Sequence, residues 1–270
     1  MERYDQHVHS AYSFDSKEHL EDECEAALQK GLQGITFTEH FSVDPLDVSY
    51  GVLRYDAYRQ AVMDCQRMYR GRLQIGCGLE IGEPHLKKCE SDLKEAMDSM
   101  QLDFIIGSIH NIGSVKLREF QKGKTKDEIY AQYFHEVLTM AETADIDVIG
   151  HLDLAKRYAF DVVGNYDFLE YRDCIAAILS VVINRGLGIE INTSGWRNSV
   201  AICYPSPEVI HLYHDMGGRY ITIGSDAHKC SDIASGWVRA RNVLQEAGFK
   251  QYCYYQGRKP YFVPLDDGVV

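Results

Sequence analysis

The sequence predicts an α/β barrel of about seven strands, and three observations predict it. Short β-type runs alternate with amphipathic helical runs of 10 to 17 residues along most of the chain, a pattern that calls for parallel pairing through helical crossovers. Runs such as FIIGSI and YITIG are apolar without alternation, as strands buried on both faces are. No GxGxxG turn follows the first strand, which weakens the rival reading of an open, dinucleotide-binding sheet.

The elements follow in order. RYDQHVH leads to a helix over about Lys17 to Lys30, LQGITFT through a long loop to about Tyr55 to Tyr69, and LQIGCGLEI to about Pro84 to Met100. DFIIGSIH then leads to Lys126 to Thr143, DVIGH to Phe168 to Asn184, LGIEINT to Ser206 to Met216, and YITIGSD to Asp232 to Glu246. A last β segment, YCYY or YFVP, is expected to close or cover one end. With 270 residues and no low-complexity linker, residues 1–270 are expected to form a single domain.

Composition narrows the partners. Lys and Arg number 28 against 40 Asp and Glu, a net charge of −12, which argues against a broad grip on nucleic acid. No run of 18 apolar residues and no export signal are present, so a cytoplasmic protein without a membrane partner is expected. Eight cysteines without a CxxC spacing suggest neither a disulfide framework nor a thiolate metal site, only reduced and mostly buried thiols.

Chemistry-bearing side chains gather at the strand ends. His7 and His9 share one face of the first strand because alternation sends residues i and i+2 the same way. Glu39 and His40 end the second strand, Glu80 the third, His110 the fourth and His151 the fifth, while Glu190 and Asn192 lie on the sixth and Asp226 and His228 end the seventh. The C-terminal strand ends of a barrel share one rim, so ligands far apart in sequence converge there. One strand-end histidine is usually a hydrogen-bonding core residue, and Asp226 alone reads as a helix cap. That many unpaired polar groups at one rim, however, would cost too much without a compensating ion. Mixed histidine and carboxylate ligands suit Zn²⁺, Mn²⁺ or Fe²⁺. The other histidines, at 19, 85, 135, 211 and 214, fall in or beside helical runs and are set aside.

The segments HVHSAYSFD, TFTEH, GLEIG, GSIH, GHLDL, EINTSGWRN and GSDAH resemble, in order and spacing, the successive motifs of the PHP (polymerase and histidinol phosphatase) superfamily, and within it the monofunctional histidinol-phosphatases. The resemblance runs from residue 5 to about 240. It implies a distorted, TIM-like (β/α)7 barrel with three divalent metals at the C-terminal rim. Carried over, it implies that His7, His9, Glu80 and Asp226 hold one metal, that Glu80 bridges to a second held by His110 and His151, and that Asp15, His40 and His228 hold the third. Some members of the superfamily have histidine where this chain has Asp15.

Charge arithmetic then favours one substrate class. Three divalent ions against Asp15, Glu80 and Asp226 leave a formal +3, which a phosphate monoester dianion and a hydroxide match. Arg157 and Arg197, expected on rim loops, have the planar fork that suits phosphate oxygens, and the matching arginines of histidinol-phosphatases contact phosphate. Asp153 is expected to orient a ligand or a positioning arginine, or to donate a proton to the leaving alcohol. Lys156 is expected in a surface ion pair, Ser194 and Gly195 in shaping the Arg197 loop, and Glu39 behind His40 or capping its loop. The expected reaction is hydrolysis of L-histidinol phosphate to L-histidinol and phosphate, a step of histidine biosynthesis, by attack of a metal-bridging hydroxide. The alternatives are a PHP-type nuclease or nucleotide phosphatase, and a non-catalytic metal-binding regulatory module.

Overall fold

The computed structural model describes residues 2–266. The chain opens with β1 (Tyr4–Val8), α1 (Leu20–Gln29), β2 (Gly34–Phe41), α2 (Tyr55–Met68) and β3 (Gln74–Gly82). After α3 (Glu90–Asp98) and β4 (Phe104–Ser108) comes an unanticipated strap of β5 (Asn111–Ile112), β6 (Val115–Lys116) and α4 (Leu117–Phe120). Next are α5 (Lys126–Thr143), β7 (Val148–Ile149), α6 (Ala155–Val163), α7 (Phe168–Arg185) and β8 (Gly188–Asn192). The chain continues through α8 (Pro207–Asp215), β9 (Ile221–Gly224), α9 (Trp237–Glu246), β10 (Gln251–Gln256) and β11 (Lys259–Pro264).

Seven parallel strands run in the order β1-β2-β3-β4-β7-β8-β9. The sheet nearly closes on itself, because Val8 bridges Ala227 in parallel and the Asp226 N–H donates to the His7 carbonyl at 2.8 Å. Local chemistry sets the helices. Thr125 and Glu128 form a reciprocal capping box at the start of α5, Asp167 caps α7, and Pro207 occupies the first turn of α8. The β10–β11 hairpin covers the N-terminal end of the barrel, so YCYY and YFVP are both strands of one ribbon.

Three boundaries differ from expectation. Residues 17–19 stay outside α1, α3 begins at Glu90 after a short 3-10 turn, and α9 begins at Trp237. Each shortened helix lengthens the loop that follows a strand end, and these loops furnish Asp15 and Asp232 to the rim. Six of the eight cysteines are buried and two are half-buried. Among the described residues no helix is long and apolar enough to cross a membrane.

Candidate metal centre

A cleft of about 920 Å³ opens at the C-terminal ends of the strands. At its floor Glu80, 1 % exposed, faces five imidazoles. Its Oε1 lies 2.7 Å from His151 Nε2 and 3.1 Å from His110 Nε2, and accepts from the Ser108 hydroxyl at 2.6 Å. Its Oε2 lies 2.9 Å from His40 Nδ1 and 3.4 Å from both His7 Nε2 and His9 Nε2. Asp226 Oδ1 sits 3.6 Å from His9 Nε2 and 3.8 Å from His7 Nε2, and its Oδ2 accepts from Ser194 Oγ at 3.1 Å. Asp15 Oδ2 reaches His228 Nε2 at 3.1 Å and His40 Nε2 at 3.3 Å. All nine residues expected at the rim therefore meet, and four overlapping triads among them have donor atoms close enough to share an ion.

The surrounding hydrogen bonds fix which nitrogens are free to coordinate. His7 Nδ1 donates to Glu190 Oε1 at 2.6 Å. Ser13 Oγ donates to Glu39 Oε2 at 2.5 Å, so at 3.2 Å it accepts from His9 Nδ1. Each neutral ring then carries its lone pair on Nε2, and the two Nε2 atoms face one another 3.0 Å apart. Two buried lone pairs at that distance repel, so a positive charge belongs between or beside them, a proton on His7 or a shared cation, and the second is what a metal-binding donor set supplies. His151 Nδ1 is likewise buried without a hydrogen-bond partner.

Titration behaviour agrees. Burial presses His7 downward, but Glu190, Glu80 and Asp226 outweigh it and hold its pKa well above the ordinary histidine range. His40 is lifted to about 10 because Glu80 and Asp15 overcome its burial. Burial would raise Glu80, yet His110, His7 and His40 hold it well below the usual carboxylate range. His9 is pushed down to about 3 by burial and by the neighbouring His40 and His228, and so presents a neutral ring. The cluster attracts positive charge, and the donor set of imidazoles and carboxylates fits divalent cations.

Glu190, which sequence reasoning placed on a strand without a task, ties two ligand positions together. Its second oxygen accepts from the backbone N–H of His151 at 2.9 Å and from Asn192 Nδ2 at 3.0 Å. His151 and Asp226 both adopt left-handed backbone, with φ of 26° and 53°, held by that bond and by the one from Asp226 N to His7. Gly224 makes room for this arrangement, since a Cβ there would lie 2.1 Å from Glu190 Oε1 and 2.5 Å from His7 Cβ. Glu39 acts behind His9 as well as His40, because Ser13 Oγ also accepts from the His40 N–H at 3.0 Å.

Both arginines line the cleft. Arg197 ends the short turn after β8 and donates through Nη2 to the carbonyls of Ser225 and Asp226 at 2.8 and 3.1 Å, which leaves the rest of its fork to the cleft. Arg157 belongs to the first turn of α6 instead of a loop. Gly195 shapes the Arg197 turn as expected, since a Cβ would lie 1.9 Å from the Ile202 carbonyl. Two expectations are corrected. Lys156 is fully buried, because its ammonium is held by Asp153 at 2.8 Å and by the Cys203 carbonyl at 2.8 Å. Asp153 does not line the cleft and bonds neither a rim histidine nor an arginine; its Oδ2 is occupied by Lys156, the Tyr166 hydroxyl and the Ser206 N–H. It fastens the segment after His151, and its Oδ1 is buried without a hydrogen-bond partner.

Comparison with known proteins agrees with this geometry. The PHP domain model matches residues 5–194. A histidinol-phosphatase of Lactococcus lactis is 29% identical over 96% of this chain and 96% of its own length, and a probable histidinol-phosphatase of Clostridium acetobutylicum is 30% identical over 92% and 94%. A crystal structure of the Lactococcus lactis histidinol phosphate phosphatase, in complex with zinc, L-histidinol and phosphate, superposes with a TM-score of 0.86 at 27% identity, covering 96% of this chain and 99% of that one. A seven-stranded barrel whose rim gathers these imidazoles, and relatives of matching length from end to end, place the chain in the PHP domain family, among the histidinol-phosphatases.

Proposed function

We propose that this chain is a metal-dependent phosphomonoesterase that hydrolyses L-histidinol phosphate to L-histidinol and phosphate, working in the cytoplasm on a small molecule. The observation that carries the reading is the meeting of six imidazoles and three carboxylates at one end of a cleft that also presents two arginines. The Lactococcus lactis relative, solved with zinc, L-histidinol and phosphate, supports the same substrate.

In this reading three divalent ions, Zn, Mn or Fe, occupy the rim. His7, His9, Glu80 and Asp226 hold one, Glu80 with His110 and His151 a second, and Asp15, His40 and His228 the third. Such ions acidify water and draw electron density from phosphoryl oxygens. The protein's own part is to fix geometry. Glu190 and Ser13 set the tautomers of His7 and His9, and Asn192 and Ser194 steady Asp226. Arg157 and Arg197, on the side of the cleft built from β7 and β8, take the remaining phosphate oxygens, and a monoester has more of these to offer than a diester.

The test compares purified protein on L-histidinol phosphate, a nucleoside monophosphate and an oligonucleotide, with elemental analysis of the same sample. The expected result is the highest kcat/KM on L-histidinol phosphate and more than one divalent metal per chain. Equal or greater turnover on the oligonucleotide, or activity from metal-free protein, overturns the reading.

A further inference from the structure

The metal-type donors form the floor of the cleft, and the arginines line the side built from β7 and β8. The opposite side is built from the loops after β2, β3 and β4, where Asp47, Val48, Ser49 and Asn111 line the wall. Three acidic residues line the cleft outside the donor cluster: Asp47, Glu119 and Asp232. Glu119 is already paired with Lys122, and Asp232 lies 3.7 Å from Arg197. Asp47 has no Lys, Arg or His nitrogen within 4.0 Å among the described residues, although it is only half-buried and fixed in place.

Its fixation is unusually complete for a loop residue. Oδ1 accepts from the Ser49 N–H at 2.8 Å and from the Ser49 hydroxyl at 2.5 Å. Oδ2 accepts from Asn111 Nδ2 at 2.8 Å. Asn111 is held in turn, since the same Nδ2 lies 2.8 Å from Glu83 Oε2 and its backbone N–H donates to Glu83 Oε1 at 2.7 Å. Neutral donors orient this carboxylate without cancelling its charge, so a cation reaching it pays little to order it. Val48, next in the chain, is 44 % exposed, and the Phe14 ring, which also lines the cleft, is 43 % exposed.

We infer that Asp47 is the specificity residue for the alcohol end of the substrate, binding a protonated amine or imidazolium while the phosphate lies against the donor cluster and the arginines. The inference rests on the proposed phosphomonoesterase reading. Phosphate and cation are then bound at opposite walls, and the cleft selects a monoester whose alcohol carries positive charge. Lys116 and Arg118 also line the cleft.

The test uses the metal-loaded, full-length enzyme and Asp47→Asn, which keeps the shape and the bonds to Ser49. Two pairs of monoesters are compared: L-histidinol phosphate with 4-nitrophenyl phosphate, and 2-aminoethyl phosphate with 2-hydroxyethyl phosphate, which match in size and differ in the charge of the terminal group. In each pair the specificity ratio, the kcat/KM of the charged monoester over that of the uncharged one, should fall about 10- to 100-fold in the variant, chiefly through KM. Equal losses on both members of a pair would show that Asp47 only steadies the loop, and unchanged ratios would show no contact with substrate; either overturns the inference. Should wild-type enzyme ignore L-histidinol phosphate yet prefer the aminoethyl ester, with the preference lost in Asp47→Asn, the named substrate falls and the role of Asp47 stands. No preference in the wild type for either charged ester overturns the inference itself.

Discussion

The two ends of this barrel bury polar groups under opposite rules. At the N-terminal end Gln6, 2 % exposed, donates to Thr36 Oγ1 at 2.8 Å and accepts from the Tyr255 N–H at 2.9 Å, and the Tyr4 N–H donates to the Tyr252 hydroxyl at 3.1 Å. Aromatic faces close over them, with Tyr4 stacked on Tyr254 at 4.0 Å and Phe104 on Tyr255 at 4.9 Å. At the C-terminal end the outward-facing nitrogens of His7 and His9 meet each other, and Glu80 is surrounded by rings that compete for it. At the base these polar atoms are satisfied within the protein. The rim is satisfied only when something positive arrives, and this is how a stable scaffold and a reactive site share one sheet.

The comparison is broken most severely at Glu80. Glu80→Gln removes the one charge that lies against both halves of the donor cluster, so kcat should fall by orders of magnitude with loss of bound metal. Circular dichroism should be unchanged, because the substitution is isosteric and the strand pairing of β3 does not depend on the carboxylate. A variant with normal turnover would mean that Glu80 does not bridge the cluster.

The opposite signature belongs to the base. Tyr255 is 4 % exposed and stacks on Phe104, so Tyr255→Ala should cost about 3 to 5 kcal/mol in urea unfolding while metal content and turnover per folded molecule are kept. If activity fell as steeply as stability, the two ends would be energetically coupled and the division drawn here would be wrong.

Much of this division was legible in the sequence, for a specific reason. Strand-end positions are fixed by local pattern, so the convergence of His7, His40, Glu80, His110, His151 and Asp226 followed once the barrel was assigned. What escaped depends on partners distant in the chain. The task of Glu190 exists only because His7, 183 residues away, presents Nδ1 to it across the barrel. Lys156 reads as solvated in AKRY, and only the placement of Asp153 and of the Cys203 carbonyl makes its burial possible. Asp47 lies in a loop with no periodicity, and Asn111, 64 residues on, decides its orientation.

Glu23 shows a buried polar group that fits neither rule, and it gives the most selective test. It falls in the pattern Leu20, Glu23, Cys24, Ala27, which is the core-facing stripe of α1, and both its carboxylate oxygens are buried without a hydrogen-bond partner. Burial first, and then the nearby Glu39, Glu18 and Asp5, push its pKa up to about 10. A carboxyl raised on folding favours the fold while protonated: its contribution is complete below the unfolded value near 4.5 and is lost as pH rises toward about 10. Glu23→Gln cannot ionise in either state. Its unfolding free energy should therefore match wild type near pH 4.5 apart from a constant offset, and should gain on wild type steadily through pH 6, 7 and 8. Urea titrations of both proteins at those pH values decide it, since every other titrating group is common to the pair. Parallel curves would mean that Glu23 finds a proton donor or a water in solution and is as well satisfied as Gln6 at the base.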